Sequence, residues 1–203
     1  MKLNRQAELA KQLTGKELLL SVFLTQAVLL ILAVILSFVV YRHLQSFFSL
    51  FRWDPKWLFV AIICGVLVVS LDVLLMKLLP NHFYSDGGIN EKLFSNLSIF
   101  QITILVLVIA IVEEWLFRGV VQVKLGLIPS CIIFALVHFR YWAHWYLIIN
   151  VVILSFLFGI IFELSGQQLL PVIVMHFIID FLLGLYIKRS SQIPSLKEGD
   201  KNV

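Results

Sequence analysis

Apolar residues run through this chain in long unbroken stretches, not in the one-sided stripes of surface helices. Six stretches stand out: Leu18–Tyr41, Trp57–Leu79, Leu97–Val123, Leu127–Phe139, Trp145–Phe162 and Leu169–Ile187. A helix needs about 20 apolar residues to cross a hydrocarbon core of about 30 Å. The fourth stretch falls well short of that, and the aromatic stretch Tyr141–Tyr146 offers to complete it. Pro80 ends the second, while Pro171 sits in the first turn of the sixth, where a helix tolerates proline. None alternates apolar and polar residues as a barrel strand does. The pattern predicts an all-α, polytopic membrane protein of about six transmembrane helices.

The connections are mostly short, so consecutive helices are expected to be antiparallel neighbours. Asn81–Asn96, with Ser85-Asp86-Gly87-Gly88, reads as the one long flexible linker. The first seventeen residues, with Lys2, Arg5, Lys11 and Lys16 among Leu3, Leu9 and Leu13, fit either an interfacial amphipathic helix or a polar tail. The chain divides into a tail and two spans over residues 1–94, a core over 95–190, and a polar C-terminal tail over 191–203.

Composition agrees and excludes other classes. The chain is 61% hydrophobic and 14% charged, against about 45–50% and about 25% in soluble domains. A soluble enzyme, a disordered regulator and a secreted disulfide scaffold are excluded. Cys64 and Cys131 lie inside apolar runs and define no disulfide framework. The first run exceeds the h-region of a cleaved signal peptide. The net charge of +4 comes from tails and loops, where charge asymmetry across a bilayer explains it and a nucleic-acid partner is not needed. With six spans, one side holds Lys2, Arg5, Lys11, Lys16, Lys77, Lys92, Arg140, Lys188, Arg189, Lys197 and Lys201. The other holds Arg42, Arg52, Lys56, Arg118 and Lys124. That excess predicts cytoplasmic termini.

The informative residues are charges inside spans, each costing at least about 2.5–3.5 kcal/mol on insertion scales. Glu113, Glu114 and Arg118 fall in the third span, with Ile99–Val112 before them and Val120–Val123 after them. That flanking disfavours a solvated cluster at the interface. Glu114 and Arg118 stand at i,i+4 with the acid first, the favourable order for a helical ion pair, and Glu113 points about 100° away from Glu114. One carboxylate is then neutralised and the other is free to face a cavity. His138 ends the fourth span, and His176 and Asp180 share a face of the sixth. Counted from the turns near Gly126 and Ser165 at 1.5 Å per residue, Glu113 and His138 lie roughly 18 Å deep and His176 roughly 16 Å. Three helices thus bring these groups to one level, which predicts a single site inside the bundle. Asp72 is expected to pair with Lys77 or reach the interface, and Asn150 to hydrogen-bond across helices. His43, His82 and His144 read as surface residues, and Tyr141, Trp142, Trp145 and Tyr146 as an interfacial aromatic belt.

A carboxylate and two imidazoles at one depth suit hydrolysis by an activated water, with a glutamate as base and a histidine with Asp180 supporting an oxyanion. The same groups could bind Zn²⁺ through Glu113, His138 and His176 with water in the open position. No His-Glu-x-x-His helix occurs, and nucleophilic serine or cysteine chemistry lacks its motifs. A proton- or ion-coupled carrier also uses such clusters, but it predicts repeats that this chain lacks.

Glu113-Glu114-x-x-x-Arg118, Phe134-x-x-x-His138 and His176-x-x-x-Asp180 together resemble the three motifs of the CAAX-protease and bacteriocin-processing (Abi) family of intramembrane proteases, over about residues 95–190. The resemblance implies an intramembrane endopeptidase. Glu113 would be the base on water, His138 its partner, His176 with Asp180 the oxyanion or supporting pair, and Glu114 with Arg118 supporting residues. Asp180 stands where many relatives have asparagine, so it would orient His176 instead of donating to an oxyanion. Divalent-metal and metal-free glutamate chemistry both stay open. The implied partners are the lipid bilayer and a peptide or protein substrate, prenylated or bacteriocin-like. The alternative is a non-catalytic membrane protein of the same fold acting in bacteriocin self-immunity or regulation.

Overall fold

The computed structural model describes residues 12–142 and 144–192. The amphipathic segment expected over the first seventeen residues and the C-terminal tail lie mostly outside them. Among the described residues every regular element is helical. The order is α1 (Gly15–Val40), α2 (Leu44–Phe48), α3 (Pro55–Leu78), α4 (Asn81–Tyr84), α5 (Ile89–Phe94), α6 (Ile99–Glu114), a π-helical segment (Trp115–Gln122), α7 (Val123–Leu125), α8 (Leu127–Val137), α9 (Trp145–Leu164) and α10 (Leu169–Ser191). Five helices are long and apolar enough to cross a membrane: α1, α3, the continuous run Ile99–Leu125, α9 and α10. The protein is an all-α polytopic membrane protein.

Local signals fix the helix starts. Thr14 and Glu17 form a capping box at α1, as Ser98 and Gln101 do at α6. Asp54 caps α3, with Pro55 in its first turn. The sixth apolar helix, α8, is the exception to full spans. Its 11 residues reach only about 16 Å, and Tyr141–Tyr146 do not extend it. His138 is the cause. Its Nδ1 bonds the Phe134 carbonyl at 2.7 Å, the acceptor its own backbone N–H would take in a continuing helix. That N–H turns to Ala135 O instead, and a 3₁₀ turn over Phe139–Tyr141 follows. The helix therefore ends at His138, after about half the length of a full span.

The linker after α3 also differs from expectation, being folded into α4 and α5. Asp86 accepts from the backbone of Ile89 and Asn90, and Gly88 takes the left-handed conformation at φ 83° that starts α5. Ile89 and Leu93 then pack with Leu18, Ile102 and Leu105 of α1 and α6. The apolar pair in this linker is buried against α1 and α6.

α10 lies against α3 and α6, α1 packs on α6 and the π-helical segment, and α8 packs on α9. Val172, Met175 and Ile179 of α10 are buried in the largest cluster with Ala61 and Phe162. Outward-facing Leu24, Phe38, Leu67, Phe100 and Ile153 are exposed, as lipid-facing side chains are in a bilayer. With lipid outside, close packing holds such helices together more than hydrophobic burial does. Gly65 shows it: a Cβ there would meet Ile178 Cγ2 at 3.0 Å and Ile178 Cβ at 3.2 Å. Gly65→Val is expected to force α3 from α10 and cost about 1–3 kcal/mol. Thermal unfolding in detergent, with Val66→Ala on the exposed face as control, checks it.

Candidate functional site

The site begins where α6 widens. Ile99–Glu114 is regular α-helix, and from Trp115 to Gln122 the chain winds as a π-helix. Such segments loosen the backbone pairing, and in a membrane every freed polar group needs a partner. Neighbouring helices supply them. Ser130 Oγ donates to Phe117 O at 2.8 Å, and the Tyr41 hydroxyl donates to Gly119 O. Trp115 Nε1 donates to Ser37 Oγ at 3.0 Å. Gln122 Nε2 donates to Gly159 O and Glu163 Oε1, each at 2.9 Å. α1, α8 and α9 are thereby bonded to the segment that carries the charges.

Arg118 is fully buried. Its Nε bonds Glu114 Oε2 at 3.1 Å, its Nη2 reaches Ser155 Oγ at 3.1 Å and its Nη1 reaches Ser130 Oγ at 3.5 Å. The guanidinium also lies 5.1 Å from the Phe134 ring centre, a cation–π geometry. Glu114, equally buried, turns its other oxygen to His176, with Nδ1···Oε1 2.8 Å. The His176 ring stacks on Phe158 at 5.0 Å and sets its Nε2 3.4 Å from Asp180 Oδ2. One line of charge thus runs Arg118–Glu114–His176–Asp180 across α6, the π-helical segment and α10.

Glu113 stands apart from that line, as its position one residue before Glu114 predicts. Gln26 Nε2 of α1 donates to its Oε1 at 2.9 Å, and its Oε2 faces His138 Nε2 at 4.0 Å. Because His138 Nδ1 faces a carbonyl, it must carry the ring hydrogen, which leaves Nε2 of the neutral imidazole as an acceptor. Glu113 Oε2 and His138 Nε2 are therefore two acceptors aimed at one point.

Of the six residues expected at a site, Arg118, Glu114, His176 and Asp180 form one network, and Glu113 and His138 face each other as a separate pair; His176 pairs with Glu114 as well as with Asp180. As placed, the set Glu113, His138 and His176 does not fit a metal. Both ring nitrogens of His176 face carboxylates, and among the described residues no three His, Cys, Asp or Glu side chains converge in a ligand arrangement. Four participants were not singled out from sequence: Gln26, Ser130, Ser155 and Gln122. Ser130 and Ser155 are each a lone polar residue in an apolar run, the same signal that marked Asn150, whereas Gln26 adjoins Thr25 and Gln122 lies between Arg118 and Lys124. Asp72 is not paired with Lys77. It accepts from Tyr146 at 3.1 Å and Asn150 at 3.4 Å, so Tyr146 is a buried partner rather than part of the belt, whereas Trp142 and Trp145 are exposed.

The geometry can be set beside known proteins. The family model described as type II CAAX prenyl endopeptidase Rce1-like matches residues 95–182, the stretch from just before α6 into α10 that holds all three motifs. The uncharacterized protein YpbD of Bacillus subtilis (strain 168) is 43% identical over 135 residues, covering 66% of this chain and 71% of its own. No solved structure matches. The chain belongs to the Rce1-like, CAAX-protease and bacteriocin-processing family.

Removing one member of a buried ion pair strands the other, at about 3–5 kcal/mol. Arg118→Met is therefore expected to destabilise by about that much. Arg118→Lys recovers little, because an ammonium cannot reach Glu114, Ser130 and Ser155 in one planar fork. Chemical unfolding in detergent micelles compares the three proteins.

Proposed function

We propose that the protein is an intramembrane endopeptidase in which Glu113 and His138 activate a water against a peptide carbonyl. The observation that carries this reading is the 4.0 Å between Glu113 Oε2 and His138 Nε2. That is too long for a direct hydrogen bond and short enough for both atoms to accept from one water. As the water oxygen attacks the carbonyl carbon, one of its protons passes to Glu113. His176, its Nδ1 held by Glu114, would turn its Nε2–H from Asp180 Oδ2, 3.4 Å away, to the developing oxyanion. When the C–N bond breaks, Glu113 returns its proton to the leaving nitrogen. One water is consumed, and a carboxylic acid and a free amine are released.

The substrate in this reading is a peptide or protein segment that reaches the site from the bilayer. Prenylated CAAX-type chains and bacteriocin-like precursors are the two classes to try. The basic residues on the side of Lys16, Lys92 and Lys188 support cytoplasmic termini.

Purified protein in detergent, offered quenched fluorogenic peptides with and without a farnesylated cysteine, tests the reading. Glu113→Gln is expected to lower cleavage by at least about 100-fold, within the range for a positioned general base, with its melting temperature unchanged. Cleavage by Glu113→Gln at the wild-type rate sinks the proposal. Because the Glu113, His138 and His176 set does not fit a metal, pre-incubation with a chelator is expected to leave the rate within about 2-fold, and metal-dependent recovery after chelation would contradict that expectation.

A further inference from the structure

Glu113 has a neighbour outside the three motifs. Gln26, from the middle of α1, is only 5% exposed. Its amide nitrogen is engaged by Glu113, and its Oε1 is buried with no hydrogen-bond partner. An ionised carboxylate only accepts, so Glu113 fixes which end of the amide it meets. The amide holds its nitrogen and oxygen about 2.3 Å apart, which puts the orphan oxygen within about 5 Å of the carboxylate that faces His138. A buried acceptor left unpaired is destabilising, and an apolar side chain of similar length would carry no such cost. Of the three buried residues of α1, Leu18, Gln26 and Ala33, only Gln26 is polar.

A peptide cut inside a bundle must be extended at the scissile bond, so the backbone N–H groups there give up their helical partners. Within the hydrocarbon region nothing but protein or trapped water can replace those partners. A buried acceptor with no protein partner to give up, a few ångströms from the attacking group, meets that need. α1 is also the least buried of the five long helices.

We infer that Gln26 Oε1 is a substrate subsite, accepting the backbone N–H of a residue within one position of the scissile bond while Nε2 holds Glu113. The inference rests on the hydrolytic reading above and deepens it. A residue without an N–H, proline above all, is excluded at that one position.

The test is a double-mutant cycle between enzyme and substrate. A fluorogenic peptide cleaved by the wild-type protein is remade as a series carrying one backbone N-methyl group at each position. One methyl flanking the scissile bond is expected to lower kcat/KM by about 10- to 100-fold in the wild type and by less than about 3-fold in Gln26→Met. An equal penalty in wild type and Gln26→Met overturns the subsite and leaves the peptidase standing. So does a wild-type scan in which no flanking methyl matters, which needs no variant to fold. If the wild type cleaves no peptide at all, the hydrolytic reading falls and takes the subsite with it.

Discussion

The buried carboxylate of Glu114 is the constraint on which the rest of the structure depends. It accepts from Arg118 on one oxygen and from His176 on the other, with no exposure to solvent. A charge in that position is tolerable only when its partners are held with good geometry and their remaining donors are satisfied as well. Arg118 brings further donors into an apolar bundle, and they are met by Ser130 of α8 and Ser155 of α9. Four elements, α6 with its π-helical continuation, α8, α9 and α10, therefore cannot shift relative to one another without stranding a charge. Lipid-facing helices have no hydrophobic drive to associate, so this network supplies specificity that apolar packing alone lacks.

The π-helical segment is what lets one helix serve both the network and the base. In an unbroken α-helix the residues after Glu114 would keep their carbonyls to themselves. Here Phe117 O and Gly119 O accept hydroxyls from Ser130 and Tyr41, and α1 is drawn against the core along with Ser37 and Ala33. That docking is what sets Gln26 beside Glu113. α1 thus packs beside Glu113, although the family match begins only at residue 95.

The sequence made most of this legible because intramembrane charge is rare and costly. Glu113, Glu114, Arg118, His138, His176 and Asp180 stood out in apolar surroundings, and counting residues from two turns put Glu113, His138 and His176 at one depth. The spans were equally plain, with α1, α3, α9 and α10 beginning and ending within a few residues of their apolar runs. Three things were not legible. The π-helical winding has no signature in Trp115–Gln122, since it arises from partners on other helices. α8 ends within two residues of its apolar run, but the local capture of the Phe134 carbonyl by the His138 side chain, which stops it there, has no signature in the sequence. Gln26, Ser130 and Ser155 carry no charge, so a single amide or hydroxyl in a span reads as ordinary membrane packing until its partner is known.

His138 joins the folding argument to the chemical one. The bond from its Nδ1 to Phe134 O does two things at once. It ends α8 after 11 residues, about half the length of a full span, and it fixes the tautomer, so that Nε2 is left as an acceptor facing Glu113. Had α8 continued, Phe134 O would have been taken by the backbone and the imidazole would have been free to rotate and change tautomer. A half-length helix is an odd element in a polytopic protein, because it exposes unpaired carbonyls where water is scarce. Here the 3₁₀ turn over Phe139–Tyr141 and the indole N–H of Trp142, which donates to Ala135 O at 3.1 Å, satisfy that end. The short helix is therefore the structural cost of presenting one oriented imidazole to Glu113, and the carbonyl that stops the helix is the same one that aims the ring.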